Sequence, residues 1–85
     1  MSLWSLVFRP SAVRELRNLA PGVADRTISA MELYADSERG DVMKLKGGDD
    51  QYRLRVGEWR VIFERDRDTR TLFVLHVRHR REAYR

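Results

Sequence analysis

The chain contains no cysteine, so disulfides, thiolate nucleophiles and cysteine-based zinc sites are excluded outright. Histidine is nearly absent too. His76 and His79 alone are too few to build a zinc site without several carboxylates. No apolar run approaches the length of a membrane span. The apolar opening, Leu3 to Phe8, lacks the basic start and small-residue cleavage pattern of a secretory leader. It reads as the first strand of a cytoplasmic protein. No repeat, linker or low-complexity segment interrupts the 85 residues, which suit one domain, 1–85, with a small core.

What the chain does have is arginine, unevenly placed. Residues 1–41 carry a net charge of −1 and residues 42–85 a net charge of +5. Arginine presents a planar fork that pairs with phosphate in two places at once, and it stays charged when partly buried. A one-sided arginine excess suggests a polyanionic partner; a solvated basic surface accounts for the composition equally well.

Periodicity assigns the elements. Leu3–Phe8 reads as a strand. Pro10 suits a first helical turn, and Val13, Leu16 and Leu19 follow at helical spacing up to Pro21-Gly22. Ala24, Ile28, Met31 and Ala35 mark one stripe of a second helix over about Val23–Ser37, so the two helices form an antiparallel hairpin. Beyond Arg39-Gly40 the chain reads as strands: Val42–Lys46, Tyr52–Val56, Trp59–Glu64 and Thr71–Val77, the last apolar enough to be central. Arg65–Arg70 reads as a charged loop, and His79–Arg85 as a short basic tail. The expected fold class is α+β: a strand, a helical hairpin, then a mainly antiparallel sheet of three or four strands, in the order β-α-α-β-β-β.

Gly57-Glu58 carries the sharpest geometric expectation. Glycine at the first position suits a two-residue type II′ turn. Val56 then faces Trp59, Arg55 faces Arg60, and Leu54 faces Val61. Arg53, two residues from Arg55, lies on the same face. Three guanidinium groups on one face of one hairpin repel each other, a cost a purely structural sequence avoids. An anion such as backbone phosphate between them removes that repulsion; pairing with Glu64, Asp49 or Asp50 is the structural alternative. Tyr52, Leu54, Val56, Trp59, Val61 and Phe63 point the other way and form core. The tail, Arg78-His79-Arg80-Arg81-Glu82-Ala83-Tyr84-Arg85, combines the side chains that phosphodiester cleavage requires. Arginine can stabilise charge on phosphorus, and histidine or tyrosine can move protons.

These segments resemble a known family. Tyr52 to Phe63 (YRLRVGEWRVIF), Val74 to Tyr84 (VLHVRHRREAY) and Lys44-Leu45-Lys46-Gly47 resemble successive motifs of the RelE/ParE toxins of bacterial toxin–antitoxin pairs, in the same element order. The resemblance implies a ribosome-dependent endoribonuclease, an mRNA interferase acting on mRNA in the ribosomal A site without a cofactor. It also implies a cognate antitoxin as partner. On that basis Arg53, Arg55 and Arg60 match residues that hold the scissile phosphate. Arg80 matches the residue that stabilises the transition state, and Tyr84 one that stacks on RNA and shares in proton transfer. His79 stands where many members carry His or Lys. The expected catalytic set is Arg60, Arg80, Tyr84 and His79, and the expected phosphate-binding set is Lys44, Lys46, Arg53, Arg55, Arg78 and Arg81. Arg78 departs from the family, which usually has Gly there. Two other readings fit the resemblance: a ParE-like inhibitor of DNA gyrase, and a module that binds RNA or antitoxin without cleaving.

Overall fold

The computed structural model describes residues 2–47 and 50–82. The order is β1 (Ser5–Phe8), α1 (Pro10–Arg17), α2 (Pro21–Ser37), β2 (Asp41–Lys44), β3 (Gln51–Val56), β4 (Trp59–Asp66) and β5 (Thr71–His79). Both helices start at proline, whose fixed φ suits a first turn and whose missing N–H is not needed there. Pro21-Gly22 therefore opens α2 instead of only ending α1. On α2 the buried residues are Thr27, Met31, Tyr34 and Ala35, while the predicted Ala24 and Ile28 lie half-buried at the edge of the stripe.

Five strands form one sheet in the order β1-β5-β4-β3-β2. The sheet is antiparallel except that β1 runs parallel to β5. It is thus larger than the three or four strands expected, because β1 joins the far edge through a pairing no local pattern reveals. The β3–β4 register is the one the turn dictates: Val56 opposite Trp59, Arg55 opposite Arg60, Leu54 opposite Val61. Gly57 sits at φ +60°, the left-handed position that a type II′ turn requires. The charged loop is shorter than its sequence suggested. Arg65 and Asp66 pair with Leu72 and Thr71 inside the ladder, and the Asp66 carboxylate accepts the amides of Asp68 and Thr69 to make the turn.

Strand alternation sorts the sheet into two faces. Leu54, Val61, Phe63, Leu72, Val74 and Val77 point toward α2 and pack with Trp4, Met31, Tyr34 and Ala35. Tyr52 is buried and Trp59 half-buried on that side, as core and core edge. Arg65 also points inward. Its guanidinium lies over the rings of Trp4 (4.8 Å) and Tyr52 (4.9 Å) and donates to the Tyr34 hydroxyl at 3.3 Å. Burial raises the Tyr34 phenol above its ordinary value, and the neighbouring Arg65 charge opposes that rise.

α1 lies beside β5 where β1 ends. There β5 has no strand neighbour on that side, and α1 side chains satisfy its backbone. The Ser11 hydroxyl donates to Leu75 O (2.6 Å), and Glu15 Oε1 accepts the Val77 amide (3.1 Å). A bulge between Ile62 and Phe63 shifts the β4–β5 register. Across it both Val74 and Val77 stay on the core side, and His76 moves opposite Ile62 on the other face.

Candidate nucleic-acid interface

The face of the sheet turned away from α2 carries the arginines. Register places Arg55 of β3 opposite Arg60 of β4, and Arg60 opposite Arg78 of β5. Three guanidinium-bearing positions thus form one transverse row across three neighbouring strands, spaced by the interstrand distance of about 4.8 Å. The next rung carries Arg53, Ile62 and His76. Like charges placed directly opposite disfavour the sheet. The row is therefore a feature the fold tolerates and not one that holds it together.

The arginines differ in how they are held. Arg55 is exposed and has no hydrogen-bond partner among the described residues. Arg60 is half-buried, and its Nη1 donates to Gly57 O and Trp59 O, both at 3.0 Å, which folds the side chain back over the turn. Arg78 donates through Nε to Glu15 Oε2 at 3.3 Å. Arg53 stands apart. It is 7 % exposed, and Nη1 reaches the Asp41 backbone oxygen (3.2 Å) and carboxylate (3.4 Å). The predicted trio of Arg53, Arg55 and Arg60 thus shares one face, but Arg53 is engaged with the edge strand β2, and Arg78 supplies the third member of the row.

The remaining predicted residues scatter. Lys44 pairs with Tyr52 and so lies on the opposite face, exposed on edge strand β2, and Lys46 sits in the turn beyond it. His79 pairs with Trp59, also on the opposite face. Its ring meets the Trp59 ring edge-on at 5.4 Å, and Nε2 lies 3.3 Å from Glu58 Oε2. Arg80 is exposed one residue past β5, with its amide donating to Glu58 O at 2.8 Å. Arg81 is exposed in the turn that follows, its amide 3.4 Å from His79 Nδ1. Tyr84 lies outside the described residues. Arg80 and Arg81 thus leave the sheet at the end where the Arg55–Arg60–Arg78 row crosses it.

His76 was not among the predicted site residues, yet it lies on the arginine face, one rung from the row. Its Nδ1 is 3.2 Å from Glu15 Oε1 and 3.2 Å from Arg78 Nη2. Strict alternation from Thr71 would have assigned His76 to the other face. The bulge, invisible in the sequence, reverses it. Glu15 was equally hidden, since only the tertiary contact of α1 with β5 brings it there. No cluster of three potential metal ligands occurs among the described residues, and no described helix is long and apolar enough to cross a membrane.

The domain is thus a helical pair on a mixed five-stranded sheet whose other face is open and basic. The family model for ParE toxin of type II toxin–antitoxin systems matches residues 6–84. The chain belongs to this family of toxins from toxin–antitoxin pairs. It is 27 % identical over 77 residues, 86 % of each chain, to a protein of Methanocaldococcus jannaschii that carries the provisional designation toxin RelE1. Among solved structures it is similar to the RelE–RelB complex of Pyrococcus horikoshii, with a TM-score of 0.78 at 24 % identity, covering 95 % of this chain and 99 % of that one. It is similar also to the RelBE2 toxin–antitoxin complex of Mycobacterium tuberculosis, with a TM-score of 0.79 at 20 % identity, covering 89 % and 96 %.

Proposed function

We propose that this toxin is a ribosome-dependent endoribonuclease that cleaves messenger RNA by attack of a 2′-hydroxyl on its own 3′ phosphate. The observation that carries the reading is the Arg55–Arg60–Arg78 row on the sheet face that α2 leaves open. Arg55 and Arg60 lie opposite each other as like charges, offset only in part by Asp41 opposite Arg55 and by Glu15 on Arg78, and a phosphodiester along the row supplies further counter-charge. Arg55 and Arg60 clamp the substrate phosphate as permanently charged groups and move no protons. Arg80, leaving the sheet at the same end, stabilises the extra negative charge on phosphorus as the 2′ oxygen attacks. Tyr84 stacks on a base near the cleavage point. Lys44 and Lys46 lie off this face and serve, with Arg81, only to attract the polyanion at longer range.

The cognate antitoxin is a small protein with acidic and apolar residues that covers the arginine face and nearby exposed apolar side chains. Val7 and Met43, 40 % and 57 % exposed, offer such contacts. Toxin–antitoxin complexes among the structural relatives support a partner of this kind.

The test is a pulse of expression in a bacterial host followed by mapping of transcript 5′ ends. New ends inside translated codons, lost with Arg80→Ala, are expected. A second reading, inhibition of DNA gyrase, draws support from the match to the ParE model. It predicts intact transcripts with growth arrest and a DNA-damage response, a result that would replace the nuclease reading.

A further inference from the structure

The described residues carry one carboxylate–imidazole pair on the arginine face, and it leaves one ring nitrogen open. Glu15 is held at the edge of β5 by accepting the Val77 amide (3.1 Å) and the Arg78 Nε–H (3.3 Å). A carboxylate only accepts hydrogen bonds, so the 3.2 Å contact of Glu15 with His76 is a hydrogen bond in the tautomer that carries the ring proton on Nδ1. Arg78 Nη2, a donor only, lies 3.2 Å from the same nitrogen and bonds to it in the other tautomer; Arg78 also donates to Glu15 through Nε. With the ring proton on Nδ1, Nε2 carries the lone pair, and it has no hydrogen bond among the described residues. The imidazole is 35 % exposed, open enough to meet a substrate and buried enough to be fixed.

Its position suits the reaction. His76 lies opposite Ile62, with Arg60 as its diagonal neighbour across β4–β5, at about 7–8 Å, and Arg78 two residues along its own strand. The groups that face it are therefore Glu15 from α1, Arg78 from β5, and Ile62 and Arg60 from β4. A phosphodiester lying on the row would pass one rung from this imidazole. His79, the other histidine, lies on the opposite face with its Nε2 engaged by Glu58.

Resting on the nuclease reading above, we infer that His76 is the general base of cleavage and that Glu15 is the residue positioning it. In the step, His76 Nε2 takes the proton of the 2′-hydroxyl as the 2′ oxygen bonds to phosphorus and the bond from phosphorus to the 5′ oxygen breaks. The leaving oxygen takes a proton from water on the far side of the in-line arrangement. The imidazolium returns its proton to solvent. The products are a 2′,3′-cyclic phosphate and a 5′-hydroxyl, with no net consumption of water. The arrangement follows the general pattern in which a base is itself oriented by a third group.

The experiment measures cleavage of a defined mRNA on programmed ribosomes by the purified protein, as single-turnover rate and as half-saturating ribosome concentration. His76→Gln is expected to lower the rate by about 100-fold or more, the range for general-base loss, with half-saturation unchanged. His76→Ala is expected to be equally slow and to regain rate with added imidazole, a response that a structural role does not give. Glu15→Gln, which keeps the size and an acceptor for the Val77 amide, is expected to lose about 10-fold in rate at unchanged half-saturation. Arg55→Gln, in contrast, is expected to raise half-saturation. Cleavage by His76→Gln within threefold of the parent overturns the general-base role and leaves the nuclease standing. Loss in His76→Ala without imidazole rescue, at an unfolding midpoint below the parent's, also overturns it. A parent that leaves ribosome-bound mRNA intact overturns the nuclease and the base together.

Discussion

Arg53 and Arg55 are two residues apart on one face of one strand, yet the structure holds them differently. Arg53 is 7 % exposed and bonded to Asp41 on the neighbouring edge strand. Replacing it with glutamine removes a charge-assisted bond to β2 and leaves shortened polar atoms in its place. Bonds to charged groups are worth about 1.5–3 kcal/mol. The mostly exposed Asp41 carboxylate (59 %) moves the expectation toward the low end, about 1–2 kcal/mol. For a domain of this size that corresponds to a fall in the unfolding midpoint of roughly 4–15 °C. Arg55 is exposed and its side chain makes no hydrogen bond to a described residue, so Arg55→Gln is expected to change stability by no more than about 0.5 kcal/mol. On the proposed nuclease reading, its effect is expected on RNA binding. Removing one phosphate contact lowers the slope of log affinity against log salt by about 0.7 for a single strand. Calorimetric unfolding of both variants, with fluorescence anisotropy of a short single-stranded RNA from low to high potassium chloride, separates the two effects. The reasoning is refuted if Arg55→Gln leaves the salt slope intact, or if Arg53→Gln unfolds within a degree of the parent.

Other outcomes follow from particular packing. Burial holds the Tyr34 phenol above its ordinary value of 10.0, so above that pH the unfolded chain releases a proton that the folded chain retains. Folding stability therefore falls as pH rises beyond about 10, and Tyr34→Phe is expected to make that fall shallower in urea titrations between pH 9 and 11. An equal slope in the two proteins removes this account. Gly40 lies at φ +149°, and a Cβ there would meet Leu54 Cδ1 at 2.7 Å, so Gly40→Ala is expected to cost about 1–3 kcal/mol. Gly22 lies in the first turn of α2 with nothing within 4 Å of a Cβ, so Gly22→Ala is expected to stabilise by about 0.4–1 kcal/mol. Denaturant midpoints that move in the same direction for both glycines contradict the backbone assignment.

Much of this protein was legible from its residues because the determining interactions are local. Proline at helix starts, the alternation of Tyr52 to Val56 and the glycine of a two-residue turn each act within a few positions. Together they fixed the β3–β4 register residue by residue, including Arg55 opposite Arg60. The opposed arginines were visible for the same reason: a tight turn leaves one register that keeps Leu54 and Val61 inside. Motif resemblance added the family, which the match over residues 6–84 bears out.

Tertiary structure decided what depends on partners distant in sequence. Arg53 is held by Asp41, which reaches it only when β2 pairs with β3. The parallel pairing of β1 with β5 joins the ends of the chain and makes the fifth strand. Arg65, read as loop, is instead a half-buried strand residue turned inward, because Trp4 and Tyr52 converge on it from separate segments. The bulge at Ile62 and Phe63 turns His76 to the arginine face, and α1, packed along the uncovered edge of β5, brings Glu15 to it. A sequence pattern records which side chains alternate. It does not record where a strand slips by one residue, and that single slip places an imidazole beside the arginine row.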